Sequence, residues 1–229
     1  MKRKIGIVGA GISEEDLLPY LDEYELWSVN NLYTRFPNIT WAKWFEIHEI
    51  KRRGFSYYRR GYKHYPINSS QSVNEYLSKI NYLDCPVMMR KELKIIKNSI
   101  AFPFKELIEK YGYYWGCSFA WMTAYAIEQY NVEEIAYFGV GLNGSEYYYQ
   151  RPSTEYYIGI AKGMGIKIYF HNSDLLRGNY MYAYDEDPNK VLLLHTRYAQ
   201  ALTINILTAV QQQMDIFDLD GARDLYKED

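Results

Sequence analysis

The chain has 229 residues, with 26 basic and 28 acidic side chains, a formal net charge of −2, 48% hydrophobic residues and 24% charged ones. That composition supports a sizeable core in one ordinary domain with room for an appendage, and it excludes disorder as the main state. Near-neutral charge removes the global attraction used by non-specific nucleic-acid coat proteins, and no apolar run approaches the ~20 residues that span a bilayer.

Tyrosine is unusually frequent, with 26 copies. It supplies apolar area with a hydroxyl at the tip, which suits wet clefts and interfaces. Cys85 and Cys117 offer neither zinc spacing nor a disulfide framework, and this points to a reducing cytoplasm. The opening Met1-Lys2-Arg3-Lys4, followed by apolar residues 5–12, imitates a signal peptide. The apolar stretch is short, contains glycine and ends against Glu14-Glu15-Asp16, so a buried first strand explains it better.

Residues 5–8 form a continuous apolar run, and Gly9-Ala10-Gly11-Ile12-Ser13 and an acidic, Leu-containing segment follow, which reads as strand, tight turn and helix. The run 26–29 ends at Asn30-Asn31, and 44–48 forms a third strand that puts Glu46 and His48 on one face. Residues 51–65 change to a basic and aromatic mixture and 68–72 to a polar linker, together read as a mobile insertion over 51–72. Another strand is expected within 81–89, where Pro86 argues for an edge position.

Ser118 is expected to cap a helix that carries Phe119, Met122, Ala126, Ile127 and Tyr130 at helical spacing and closes at Asn131. A buried strand at 135–140, a Tyr-rich loop at 141–154, a helix at 155–162 and a strand at 166–170 continue the alternation. After Pro188 a long helical pattern runs through Leu192, Tyr198, Leu202, Ile206 and Val210, and it is able to pack on the sheet or on another copy of the chain.

Strands alternating with helices imply an α/β fold, a largely parallel sheet covered by helices on both faces, because parallel strands need long crossovers. The expected organisation is a nucleotide-binding domain over 1–187 and a helical C-terminal extension over 188–229. Ligands of such sheets sit beyond the carboxyl ends of the strands. Those ends carry Gly9 and Gly11, Asn30 and Asn31, Glu46 and His48, Gly139 and Gly141, and residues 171–173.

Gly9-Ala10-Gly11 lacks the third glycine of the dinucleotide fingerprint, since Glu14 stands there, and no acidic residue ends the second strand to hold a ribose, so NAD is disfavoured. The turn lets a ligand approach the backbone, with Ser13 as hydroxyl donor or helix cap, and a plain strand-to-helix turn is the alternative. Asn30 suits a base edge or ribose, or simply a turn. His48 and Glu46 offer an acid–base pair or a satisfied structural histidine, and two ligands do not define a metal site. Exposed N–H groups behind Ser118 attract anions, unless the residue is only an N-cap.

Asn143, Tyr147, Tyr148 and Arg151, in a loop of hydroxyls, amide and cation, are placed to close over a ligand or to line a subunit contact. Lys51, Arg52, Arg53, Arg59, Arg60 and Lys63 are interleaved with Phe55, Tyr57, Tyr58, Tyr62 and Tyr65. That pattern fits single-stranded nucleic acid, but a solvated surface or a lid over a small anion fits the rest of the chain better.

The turn Gly9-Ala10-Gly11-Ile12-Ser13, the stretch Trp27-Ser28-Val29-Asn30-Asn31-Leu32-Tyr33, residues 118–139, Asn143-Gly144-Ser145, Ile166-Lys167-Ile168-Tyr169, and Asn172-Ser173 with Leu175-Leu176 follow one order. In that order they resemble the sialyltransferase-like group of Rossmann-type proteins, with its motility accessory factor-like and pterin-pyrophosphokinase-like relatives. Ile12 replaces a usual proline, and Gly141 stands where an acidic residue is common. The resemblance implies binding of a nucleotide or nucleotide-sugar, with Gly11, Asn30, Ser118 and Ser173 around it; Asn172, next to Ser173, is a further candidate contact. The Tyr-Gln-Arg-Pro loop also resembles small bacteriophage proteins, which implies an accessory role in the cytoplasm of an infected bacterium.

The expected function is therefore nucleotide or nucleotide-sugar binding with glycosyl transfer, His48 as base and Glu46 beside it. Tyr147, Tyr148 and Arg151 would steady the departing phosphate. The alternatives are a non-catalytic module for nucleic acid or a protein partner, and a diphosphokinase-like enzyme. Self-association through the C-terminal helices is the expected oligomeric contact, and no membrane or resident cofactor is expected.

Overall fold

The computed structural model describes residues 2–53, 56–59, 73–143, 147 and 149–177. In chain order the elements are β1 (Arg3–Val8), α1 (Glu14–Leu17), β2 (Glu25–Val29), β3 (Lys43–Glu46), β4 (Ile50–Arg53), β5 (Ser56–Arg59), α2 (Val73–Asn81), β6 (Val87–Met89), β7 (Ser99–Ala101), α3 (Phe104–Tyr111), α4 (Ser118–Ile127), β8 (Val132–Phe138), α5 (Arg151–Gly163) and β9 (Lys167–His171), with 3-10 turns at Leu18–Tyr20 and Leu32–Thr34. Two compact units partition the chain: Met1–Leu142 with Tyr149–Leu175, and Asn143–Tyr148 with Leu176–Asp229. All the helices and strands named here belong to the first.

Seven strands make one sheet in the order β7-β6-β3-β2-β1-β8-β9, and every neighbouring pair is parallel. The chain starts in the middle at β1, works outward through β2, β3, β6 and β7, then returns to the other side of β1 with β8 and β9. The strand order therefore reverses between β1 and β8, the place where open α/β sheets form a crevice.

Side-chain alternation sorts the sheet residues between two cores. Ile5, Ile7, Trp27, Val29, Phe45, Met88, Ile135 and Tyr137 pack with Leu107 of α3, Met122 and Ile127 of α4, and Tyr157 and Ile158 of α5. Their neighbours Val8, Leu26, Trp44, Val87, Met89, Ala136 and Phe138 pack on the opposite face with Leu17 of α1 and with Tyr76, Leu77 and Ile80 of α2. Helices thus cover both faces, and the fold is α/β and Rossmann-like. α4 is apolar nearly all round because Ala120, Met122, Thr123, Ala124, Ala126 and Ile127 are all buried. Beside it, Trp115 is stacked between Trp121 (ring centroids 3.6 Å, planes within 5°) and Tyr157 (4.4 Å, 13°).

Several details differ from the sequence reading. β6 is an interior strand between β3 and β7, not an edge. Pro86 is compatible with this because it precedes the strand and needs only its carbonyl, which accepts from the Trp44 N–H at 2.9 Å. α4 takes Cys117, not Ser118, as its N-cap, so Ser118 is the first helical residue. That helix ends at Ile127, and Asn131, at φ +59, turns the chain into β8. α5 starts at Arg151, with Pro152 in its first turn where no N–H is required.

β3 ends at Glu46, so His48 lies past the strand in a bend. Within the segment read as an insertion, β4 and β5 form an antiparallel hairpin whose register sets Lys51 against Tyr58 and Arg52 against Tyr57. Residues 54–55 and 60–72, and the C-terminal helices expected over 188–229, lie outside the described residues. No helix among the described residues is long and apolar enough to cross a membrane.

Candidate functional site

The turn after β1 is built on backbone contact. Gly9 N–H donates to the Phe138 carbonyl and Gly11 N–H to the Gly139 carbonyl, both at 2.8 Å. A Cβ on Gly11 would stand 2.8 Å from the Gly139 oxygen, and one on Gly139, at φ +65, only 2.4 Å from the Ile12 nitrogen. These glycines therefore let the backbone past β1 and β8 meet where the strand order reverses, and the amides of Gly9 and Gly11 are spent on that strand-end contact. Ser13 caps α1 through Asp16 N–H at 3.1 Å, and the helix has only four residues. Glu14 in its first turn is held by the Asn38 side chain at 2.7 Å.

Asn30 ends β2 in the left-handed region at φ +57, a conformation asparagine tolerates. Its N–H donates to the Phe45 carbonyl at 3.0 Å, and its carbonyl accepts the Trp44 indole N–H at 3.1 Å. The Asn31 carbonyl takes the Thr34 N–H at 3.1 Å and the Thr34 hydroxyl at 2.8 Å. Both asparagines thus shape the turn that carries β2 past the neighbouring end of β3.

At the end of β3 the Glu46 side chain is fully buried. Its Oε1 lies 2.7 Å from His48 Nδ1 and accepts the His48 backbone N–H at 3.1 Å, while its Oε2 accepts the Tyr76 hydroxyl from α2. The bend after β3 folds His48 back onto the carboxylate two residues earlier. With Glu46 ionised, Nδ1 must be the donor, and in the neutral imidazole the lone pair is then on Nε2. The Tyr33 ring lies 6.0 Å from Trp44 and stacks on Tyr76 at 6.2 Å, so Asn30, Trp44, Tyr33, Tyr76, Glu46 and His48 form one connected group across the carboxyl ends of β2 and β3.

The helices that lead back to β8 and β9 begin at the same edge of the sheet. Gly116 N–H donates to Ser153 Oγ at 2.9 Å, and Cys117 Sγ lies 3.2 Å from Thr154 Oγ1, so the starts of α4 and α5 are tied together beside Ser118. Burial pushes the Cys117 thiol up, against the pull of Thr154, and pushes the Cys85 thiol up to about 11. Both cysteines are free.

Arg151 pairs with Glu155 at 2.7 Å and also donates to the Asp174 carbonyl, so its guanidinium braces the start of α5. Ser173 is buried, donates to the Val140 carbonyl and accepts Leu175 N–H at 3.5 Å, which makes it a latch between the ends of β8 and β9. Asn172 turns the chain at φ +49. Asn143 and Tyr147 belong to the second compact unit, and Tyr148 lies outside the described residues.

Two features escaped the sequence reading. Tyr76 was not assigned a role, although it shares an apolar helix face with Leu77 and Ile80. Tyr20 brings its hydroxyl 3.2 Å from that of Tyr169 and 3.4 Å from His171 Nδ1, a polar cluster over Phe138 at the end of β9. Among the described residues no three His, Cys, Asp or Glu side chains gather to hold a metal ion.

Comparison of the chain with protein-family models, with curated proteins and with solved structures finds no significant match. The functional reading therefore stands on the geometry of the strand ends.

Proposed function

We propose that the chain binds a nucleotide or nucleotide-sugar along the carboxyl ends of its parallel strands and, in the cytoplasm, uses His48 as the general base of a glycosyl transfer. The observation that carries this reading is the Glu46–His48 pair, a fully buried carboxylate 2.7 Å from the imidazole Nδ1 at the end of a central parallel strand. An imidazole held in this way presents Nε2 as a proton acceptor. In the proposed step an acceptor hydroxyl loses its proton to Nε2, its oxygen bonds to the anomeric carbon, and the bond to phosphate breaks with the electron pair leaving on the nucleotide. Asn30 after β2 suits an uncharged base edge or ribose, and the N–H groups at the start of α4 beside Ser118 suit an anionic phosphate.

The test is a thermal-shift panel of CMP, UMP, GMP, AMP and their sugar conjugates, because a ligand that binds only the native state raises its stability. At least one nucleotide is expected to raise the melting temperature. No shift with any of them at millimolar concentration overturns the reading.

A second reading, capture of single-stranded nucleic acid, is favoured by one observation, the hairpin register that sets Lys51 and Arg52 against Tyr58 and Tyr57. It requires salt-dependent binding of single strands that disappears on replacing Arg52, Arg53 and Arg59 together. Binding unaffected by those replacements removes it.

A further inference from the structure

We infer that Tyr76 is a positioning residue for His48, acting through Glu46; the inference rests on the acid–base reading of that pair. The two oxygens of the buried carboxylate have different duties. Oε1 serves His48, through Nδ1 at 2.7 Å and the backbone N–H at 3.1 Å, whereas Oε2 takes the hydroxyl of Tyr76. Burial alone drives a carboxyl toward its neutral form, and donors to its oxygens hold it ionised.

Tyr76 delivers its donor from a rigid place. Its ring is fully buried on α2 and stacks on Tyr33 at 6.2 Å with 26° between the planes. A carboxylate pinned at Oε2 cannot swing Oε1 away from the imidazole, and an ionised Oε1 at this distance requires a proton on Nδ1. The lone pair then stays on Nε2, the atom the proposed chemistry needs. Replacing the hydroxyl with hydrogen keeps the ring and its packing but removes one donor from a buried oxygen. The neutral acid becomes easier to form, and the imidazole is released toward the Nε2–H tautomer that histidine prefers in water.

The experiment is long-range proton–nitrogen NMR on the full chain labelled at histidine, comparing the wild type with Tyr76→Phe at a pH where His48 is neutral. The wild-type proton is expected on Nδ1, and Tyr76→Phe is expected to move a large part of the population to Nε2. An unchanged tautomer in folded Tyr76→Phe overturns the inference, since loss of packing alone would not be expected to read out as a tautomer exchange. If that variant does not fold, the wild type labelled at tyrosine Cζ takes its place. A Tyr76 signal that follows the titration of His48 supports the coupling, and one that ignores it overturns it. Titrating the same samples with CMP and UMP separates the two claims. A wild type that binds neither weakens the nucleotide reading while leaving the tautomer result standing, whereas binding with an unmoved tautomer in Tyr76→Phe removes only the role of Tyr76.

Discussion

Gly11 donates its backbone N–H to the Gly139 carbonyl at 2.8 Å, and neither residue has room for a side chain at that contact. Leu17 of α1, the helix after β1, and Tyr157 of α5, the helix after β8, pack on opposite faces of the sheet, and the backbone just past the two strands touches here. Gly139→Ala adds a methyl group 2.4 Å from the Ile12 nitrogen in a backbone conformation that alanine resists. We expect a loss of about 2–3 kcal/mol, read as a lower urea midpoint with an unchanged slope. A midpoint equal to the wild type would show that the two loops yield at little cost.

The Glu46–His48 pair predicts a split between binding and turnover. His48→Asn and Glu46→Gln are each expected to lower transfer from a nucleotide-sugar by about 10²-fold or more, while the thermal shift caused by that nucleotide persists. Equal turnover in the wild type and His48→Asn would remove the histidine from the chemistry.

Arg3 meets Glu25 in a two-pronged contact, Nε to Oε1 at 2.6 Å and the second nitrogen to Oε2 at 2.5 Å, and this holds the Glu25 carboxyl below its ordinary value of 4.5. Because the acid form is harder to reach folded than unfolded, the contribution of the pair is complete above that ordinary value. It fades as the pH falls through the lower folded value. Melting curves of the wild type and Glu25→Gln should therefore differ at neutral pH and converge in acid. The difference is expected to be small, since both side chains are partly solvated. A gap that widens as the pH falls would reverse the sign of the argument.

Tyr157 has a buried hydroxyl without a hydrogen-bond partner among the described residues, at the end of the ring column with Trp115. Tyr157→Phe keeps the stacking and removes an unsatisfied polar atom, so we expect a gain of up to about 1 kcal/mol in urea unfolding. Destabilisation would mean that the hydroxyl has a partner in solution.

The parallel sheet was readable where apolar runs were dense. Residues 5–8, 26–29 and 135–138 are buried on both faces and show little polar alternation, as a covered parallel strand requires. β7 was not readable, because Ser99, Ile100 and Ala101 form a three-residue edge strand that is mostly exposed and lacks an apolar run. α2 and α3 were missed although each is amphipathic, because they are short, nine and eight residues, and Tyr76, Leu77 and Ile80 in one and Leu107 in the other stand among charged and polar positions.

The candidate site was legible only in part. Glu46 and His48 are two residues apart and announced themselves, although the contact comes from a bend rather than from a shared strand face. Tyr76 lies 30 residues from Glu46, and no local pattern marks a pairing made by docking a helix on the sheet. The structural partners of Ser173 and Arg151 were not legible, because hydroxyls and cations at strand and helix ends are chemically ambiguous. Here one latches two strand ends and the other braces a helix start.

The column of Trp121, Trp115 and Tyr157 has an optical consequence. Two indoles with centroids 3.6 Å apart and planes within 5° share their excited states, so their near-ultraviolet band differs from that of two separate tryptophans. Light absorbed there reports whether the loop before α4 still lies between that helix and α5, and the protein thereby carries its own gauge of helical docking.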